Sequence, residues 1–225
     1  MNPHNLLLTP RFGGRFAVLV AVLLFAVSGL ADTTYNNFNG YSDFWHPFGN
    51  PDTATYGELF TSPSNSDNNL ASFSFYMGSS FLAGNIITGA YIATWTGTMA
   101  GTLLYSNGPI NYDNVGDELI TTNTGGLALT PNTHYVMFLS VSQFYGQSAG
   151  QAYASQGTSI TGLNGFVYNN NEGNFNNLFT TAWSGPLSPD WAVNLHFNSV
   201  PEPSSLILLG MGLLGGIGVL RRKVS

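Results

Sequence analysis

The chain has 225 residues, a net charge of −6 and no cysteine. The lack of cysteine excludes disulfide bonds and cysteine-ligated metal sites. All five basic residues lie near the two ends: Arg11, Arg15, Arg221, Arg222 and Lys223. Residues 32–200 contain no Lys or Arg but ten of the eleven acidic residues. Because this body cannot neutralise phosphates, we expect no nucleic acid among its partners.

Residues 1–31 have the pattern of a signal peptide, which we expect to be helical. Arg11 and Arg15 form a basic region, and residues 16–27 then contain no polar side chain. Gly29 and Ala31 provide small residues at the −3 and −1 positions, which predicts cleavage before Asp32. The alternative is an uncleaved membrane anchor, although the apolar stretch is short for a membrane span. In both cases the chain from residue 32 onward is exported.

Residues 32–199 are predicted to form one all-β domain. Apolar and polar side chains alternate over 70–77, 90–96, 135–141 and 191–197. Alternation with a period of two is typical of a strand with one buried face. The strands are short and no intervening segment has helical periodicity. We therefore expect an antiparallel β-sandwich or a jelly-roll-like body, with a core rich in Phe, Tyr and Trp.

The segments between these strands are rich in turn-forming residues. Three Asn-Gly pairs, at 39–40, 107–108 and 164–165, predict tight hairpin turns because glycine readily adopts positive φ. Residues 143–161 and 169–177 are rich in Gly, Ser, Gln and Asn, and we interpret both as loops.

The composition changes again over residues 200–225. Pro201 and Pro203 cannot continue a central strand, and 206–220 is an uninterrupted stretch of Leu, Ile, Met, Val and Gly. As a helix this stretch is about 22 Å long, or about 27 Å if it begins near Pro203, so it could just span a thinned bilayer. The cationic cluster 221–223 should remain cytoplasmic. The alternative, a helix buried in the domain, is disfavoured by the glycine content.

This tail resembles the PEP-CTERM sorting domain. Three parts appear in the order typical of that family: Val200-Pro201-Glu202-Pro203, a glycine-containing apolar stretch, and the basic residues Arg221, Arg222 and Lys223. The resemblance implies that exosortase, a membrane enzyme of Gram-negative bacteria that make exopolysaccharide, recognises residues 200–203 and cleaves nearby. It also implies an inner-membrane-anchored precursor that moves to the cell surface or extracellular matrix, where exopolysaccharide is a possible partner.

One serine pattern suggests hydrolase chemistry. Residues 146–150 match the G-x-S-x-G nucleophile elbow around Ser148, and Asp190 and His196 follow in the order found in hydrolases. The elbow requires a strand-to-helix turn over a parallel sheet, which this sequence does not predict. The body histidines, His46, His134 and His196, are too far apart in sequence for a recognisable zinc motif.

Two further residue groups are candidates for ligand binding. Asp113, Asp117 and Glu118, together with Asn114, could supply oxygen ligands to Ca²⁺, although a solvated acidic turn is the simpler interpretation. Trp45 and Trp183 lie in loop-like contexts where an indole could stack on a sugar. Trp95 and Trp191 lie on apolar strand faces and are expected in the core. We expect no cofactor.

These observations leave three functions open. The first is a non-enzymatic exported β-sandwich protein of the cell surface or matrix, sorted through its tail. The second is a carbohydrate-binding module that acts on exopolysaccharide. The third is a secreted serine hydrolase.

Overall fold

The computed structural model describes residues 32–113 and 115–199, apart from the side chains of 43–46. The described residues belong to one compact unit. The predicted signal peptide (1–31), anchor helix and sorting motif (200–225) lie outside them. Within the described ranges, no helix is long and apolar enough to cross a membrane.

The described chain is built from β-strands and two short 3-10 turns. In chain order the strands are β1 Thr33–Asn36, β2 Phe38–Asn50, β3 Thr55–Thr61, β4 Asn69–Leu82, β5 Ile86–Trp95, β6 Ala100–Tyr112, β7 Glu118–Ala128, β8 His134–Ser140, β9 Gly150–Gly157, β10 Leu163–Asn169, β11 Ser184–Leu187 and β12 Val193–Asn198. The 3-10 turns are Ser142–Phe144 and Phe175–Phe179.

The strands form two antiparallel sheets, which we call sheet I and sheet II. Sheet I has the order β1-β12-β4-β9-β2, and β7 also pairs with β4. Sheet II has the order β11-β10-β3-β8-β5-β6. The first part of β4 pairs with both β12 and β7, while its last part pairs with β9, so this long strand organises sheet I. The prediction of an all-β antiparallel sandwich is confirmed.

One hydrophobic core lies between the inner faces of the two sheets. In β12, Val193, Leu195 and Phe197 are fully buried, while Asn194 and His196 on the other face are partly exposed. Aromatic rings from both sheets meet in this core, and Trp191 packs edge-on against Tyr56 of β3 with centroids 6.0 Å apart. In β12 the alternation in the sequence therefore correctly predicts which residues face the core.

A second core covers the outer face of sheet II. In β8, Met137 and Leu139 face the first core, whereas Val136 and Phe138 face the second. The segment between β10 and β11 lies over this face and contributes Leu178 and Trp183. The central strands of sheet II, β3, β5 and β8, are thus buried on both faces.

The three Asn-Gly pairs do not form hairpin turns, so that prediction is wrong. All three lie inside strands, where the pairing register shifts: 39–40 in β2, 107–108 in β6 and 164–165 in β10. Gly40 and Gly165 do adopt positive φ, at +100° and +109°. Positive φ suits a glycine in a β-bulge as well as in a turn, and the local sequence does not distinguish the two.

The prediction that 143–161 is a loop is also wrong, because it contains β9, which lies between β4 and β2. Ala152 and Ala154 face the first core, although their small side chains provide little of the apolar pattern by which strands are recognised. Residues 170–177 lie outside the strands, in agreement with the loop interpretation of 169–177.

Candidate functional site

The three residues of the suggested hydrolase triad lie apart. The hydroxyl of Ser148 accepts a hydrogen bond from the Ile87 amide at 3.1 Å, near the start of β9. Asp190 lies at the other end of that strand, where its carbonyl accepts a bond from Gly157 at 2.8 Å. Eight residues of strand place the two about 20 Å or more apart. His196 contacts Thr34 and Asp32 instead. The triad hypothesis is wrong.

The described residues also lack a grouped set of metal ligands. His134 pairs with the Thr61 hydroxyl at 3.0 Å, and the side chain of His46 lies outside the description. Among the described side chains, which exclude those of 43–46, three or more His, Asp or Glu residues nowhere come together so that they could hold a metal ion. The Ca²⁺ candidates Asp113, Asp117 and Glu118 therefore do not form such a set, and Asn114 lies outside the described residues.

The structure buries Trp183. Its side chain is only 6% exposed, and its indole Nε1 donates to the Leu178 carbonyl at 2.9 Å. Its ring contacts Phe138 edge-on at 5.4 Å and Trp95 at 5.9 Å. The expectation that its loop position leaves the indole free for a ligand is wrong, because that segment folds down onto sheet II.

The other three tryptophans have different outcomes. Trp191 is in the core as expected, and its Nε1 donates to the Tyr76 carbonyl. Trp95 is half-buried against the second core. Trp45 lies in β2, but its side chain is outside the description, so its contact with carbohydrate stays a prediction.

A buried carboxylate that the sequence analysis missed lies between the two sheets. Glu58 of β3 is fully buried, its Oε1 accepts a bond from the Gly165 amide at 3.1 Å, and its Oε2 accepts one from the Trp191 amide at 3.0 Å. It thereby connects the bulge of β10 to the start of β12 across the core. The only sequence signal is one acidic residue in an otherwise uncharged strand, Thr55–Thr61.

The electrostatics of this carboxylate are unusual. Burial raises the pKa of Glu58 well above its ordinary value, the charge of Asp190 raises it further, and the two amide bonds oppose the rise. Burial also raises the pKa of Asp190, against a hydrogen bond from Ser159. Because the body contains no Lys or Arg, no such cation compensates these carboxylates. Glu58 therefore acts as a clamp between the sheets whose burial favours the protonated carboxyl, while its two amide hydrogen bonds favour the carboxylate.

A second missed feature is a group of aromatic side chains on the outer face of sheet I. We call Phe38, Tyr41, Tyr76, Phe81 and Tyr153 the aromatic platform. Phe38 and Tyr76 stack in parallel with centroids 3.9 Å apart and an interplanar angle of 5°. Tyr41 meets both rings edge-on, and Phe81 meets Tyr153 edge-on at 5.6 Å.

Strand pairing shows that these two aromatic groups share one face. Met77 of β4 pairs with Ala154 of β9, and both side chains lie in the first core. Their neighbours Tyr76 and Tyr153 therefore point to the opposite, outer face, where they are diagonal neighbours at about 7–8 Å. The outward position of Tyr76 was visible in the sequence alternation, but its aromatic neighbours come from other strands.

The platform is accessible and lies beside acidic residues. Tyr41 is 43% exposed and Phe81 is 56% exposed, and Leu119, which pairs with Tyr76, extends the apolar surface. Burial raises the pKa of Tyr41, and the nearby charges of Asp117, Tyr76 and Glu118 add to the rise. Burial and the charge of Asp113 likewise raise the pKa of Glu118. The platform is therefore an apolar surface with a negative border.

Two comparisons with known proteins bear on this chain. No curated protein matches it. Residues 199–223, however, match the family model described as the PEP-CTERM protein-sorting motif. The matched stretch includes Pro201, Glu202 and Pro203 and the cations at 221–223, as the resemblance implied. The motif indicates an exported protein that exosortase sorts to the cell envelope or surface. The chain therefore contains a PEP-CTERM protein-sorting motif at residues 199–223.

Proposed function

We propose that this protein is a non-enzymatic β-sandwich protein of the bacterial cell surface or extracellular matrix, where it associates with exopolysaccharide. The observation that carries the proposal is the sorting motif at 199–223, which follows a compact folded body in the sequence. The motif bears on delivery, and the sandwich is the part that would act after delivery.

In this proposal the signal peptide 1–31 is removed, and helix 206–220 holds the precursor in the inner membrane of a Gram-negative host. The cations 221–223 stay in the cytoplasm. Exosortase then cleaves near residues 200–203. Because all basic residues beyond the signal peptide lie in 221–223, the processed body has no Lys or Arg. The helix is marginal in length, which suits a temporary anchor.

The non-enzymatic part of the proposal is supported by the separation of Ser148, Asp190 and His196. It is tested by assaying the exported protein for esterase activity. Turnover by the parent that is lost in Ser148→Ala would contradict it.

Mass spectrometry of the C-terminus tests the delivery step. We expect protein from the medium or cell surface to end near residues 200–203, and a Glu202→Ala variant to keep its tail and accumulate in the membrane. Glu172→Ala, which removes an exposed acidic residue from the body, is the matched control and should be processed normally. Recovery of only full-length parent protein from a host with active exosortase would overturn the delivery proposal.

A second candidate function, carbohydrate binding by the sandwich itself, is favoured by the aromatic platform. Exposed aromatic side chains on one face are the feature that a sugar-binding surface needs, because the apolar face of a sugar ring packs against an aromatic ring.

A further inference from the structure

We propose that the aromatic platform on sheet I binds a polysaccharide chain that carries free amino groups. The inference rests on the proposed function, polysaccharide association at the cell surface, and names the site and the class of glycan. It replaces Trp183, which is buried, as a carbohydrate contact.

The shape of the platform suits a chain more than a small ligand. Its rings lie on an open sheet face, from Phe38, Tyr41 and Tyr76 on β2 and β4 to Tyr153 of β9 and Phe81 near the end of β4. Diagonal neighbours on a sheet face are about 7–8 Å apart, so several sugar rings in a row could contact successive aromatic rings. A small-molecule site would instead be concave and enclose most of its ligand.

The rings are held in position before any ligand arrives. Phe38 and Tyr76 support each other by parallel stacking, and Tyr41 packs against both. The backbone of Tyr76 is also fixed, because its amide donates to Ala192 and its carbonyl accepts from the Trp191 indole. A preordered surface loses little conformational entropy on binding, so more of the contact energy remains as affinity.

The negative charge of the body favours binding of some classes of polysaccharide over others. The body carries ten acidic residues and no Lys or Arg, and Asp117 and Glu118 lie close enough to Tyr41 to affect its pKa. A polymer of uronic acids would meet this charge with repulsion and find no Lys or Arg as a partner. A protonated amino sugar would gain attraction from the carboxylates and from the faces of the aromatic rings. The same argument disfavours a second copy of the chain, which would bring two strongly negative bodies together.

Three polymers test the proposal: chitosan, which carries free amines; chitin oligosaccharides, which are its acetylated neutral form; and polygalacturonate, which is acidic. The exported protein, recovered from its host, is titrated with each by calorimetry at about 0.05 M and about 0.2 M salt. We expect the strongest binding to chitosan, weaker binding to the acetylated form and none to polygalacturonate. A preference for the acidic polymer would overturn the proposal.

Matched variants locate the site. We expect Tyr41→Ala and Phe81→Ala each to weaken chitosan binding by about tenfold, the upper value for one aromatic contact. Leu187→Ala, at an exposed apolar residue of sheet II, should leave binding unchanged. Because Tyr41 and Phe81 are exposed, these variants should fold, and thermal unfolding checks this.

Two charge-removing variants distinguish binding at the platform from general attraction to the acidic body. Asp117→Asn and Glu172→Gln each remove one negative charge, and of these two residues only Asp117 lies near Tyr41 of the platform. We expect Asp117→Asn alone to weaken chitosan binding measurably. Equal losses in both, with Tyr41→Ala unchanged, would indicate binding to the whole acidic body and overturn the platform while leaving polysaccharide association intact. Concentration-dependent dimers abolished by Tyr41→Ala would instead make this face an interface between copies and also overturn it.

Parent protein that binds none of the three polymers would overturn the platform proposal as well. The delivery part of the proposed function would still be decided separately, by the C-terminus of the recovered protein.

Discussion

The outer faces of the two sheets contain the same kinds of residue but use them differently. On sheet II, Tyr91 and Phe138 are buried beneath the segment between β10 and β11, which adds Leu178 and Trp183 to the second core. On sheet I, Tyr41 and Phe81 remain substantially exposed. An aromatic residue on an outer face is therefore structural where a chain segment covers it, and available for a ligand where the face is open.

The largest expected effect is on the covered face. Trp183→Ala removes a buried indole that packs against Phe138 and Trp95, so we expect it to lower the free energy of unfolding by about 3–5 kcal/mol. Chemical denaturation measures this. A loss below about 1 kcal/mol would mean that the covering segment contributes little to stability.

The next largest effect on stability is expected at Glu58, the clamp between the two sheets. Glu58→Ala leaves the amides of Gly165 and Trp191 without their acceptor in a buried site, and each unsatisfied group costs about 1–3 kcal/mol. We expect a combined loss of about 2–5 kcal/mol by chemical denaturation. Asp52→Ala, at a partly exposed carboxylate, is the comparison and should change stability by less than about 1 kcal/mol.

The raised pKa of Glu58 predicts how the stability of the protein depends on pH. Its pKa is higher in the folded state than in the unfolded state, so between the two values the folded protein binds more protons. Its contribution is therefore complete below the unfolded pKa, about 4.5, and falls as the pH rises toward the folded pKa. The raised pKa values of Asp190 and Glu118 act in the same direction.

We accordingly expect a higher melting temperature at about pH 5 than at about pH 7.5, and a smaller difference in Glu58→Gln. Calorimetry at both pH values measures the two differences. A parent that becomes more stable as the pH rises, with the same slope in Glu58→Gln, would contradict the prediction.

Two glycines sharpen the contrast between crowded and open positions. A Cβ at Gly165 of sheet II would lie 2.8 Å from the Cβ of Pro186, whereas one at Gly40 of sheet I would meet nothing within 4 Å. Both have positive φ, so both Ala variants carry about 1–2 kcal/mol of backbone cost. We expect Gly165→Ala to lose about 1–3 kcal/mol beyond Gly40→Ala by denaturation. Equal losses of stability in the two variants would mean that β11 can move to accommodate a Cβ at Gly165 at little energetic cost.

The smallest expected effect is on the stability of the open face. Phe81→Ala and Tyr41→Ala should each change the free energy of unfolding by no more than about 0.5–1 kcal/mol, since both side chains keep large exposed areas. Denaturation curves that show losses comparable to that of Trp183→Ala would remove the distinction between the two faces.

Local patterns predicted the strands that alternate strongly. In β12 the pattern identifies the buried residues, because a period of two is a property of the strand itself. In β8 both faces are buried, although alternation is typical of a strand with one buried face. The same reasoning failed for β9, whose inward residues are alanines, since a small side chain can be buried without producing a strong apolar signal. The Asn-Gly pairs show a related limit: positive φ is local, but a bulge or a turn depends on the partner strand.

The sequence by itself determined the antiparallel β character of the body, its lack of Lys and Arg, and the sorting motif at 199–223, because each of these is written in adjacent or regularly spaced residues. Only the tertiary structure decided that Trp183 is buried, that Glu58 bridges two sheets, and that Tyr41, Tyr76 and Phe81 share an open face. These three features depend on which strands lie side by side and which segment covers them, and such long-range packing has no local sequence signature.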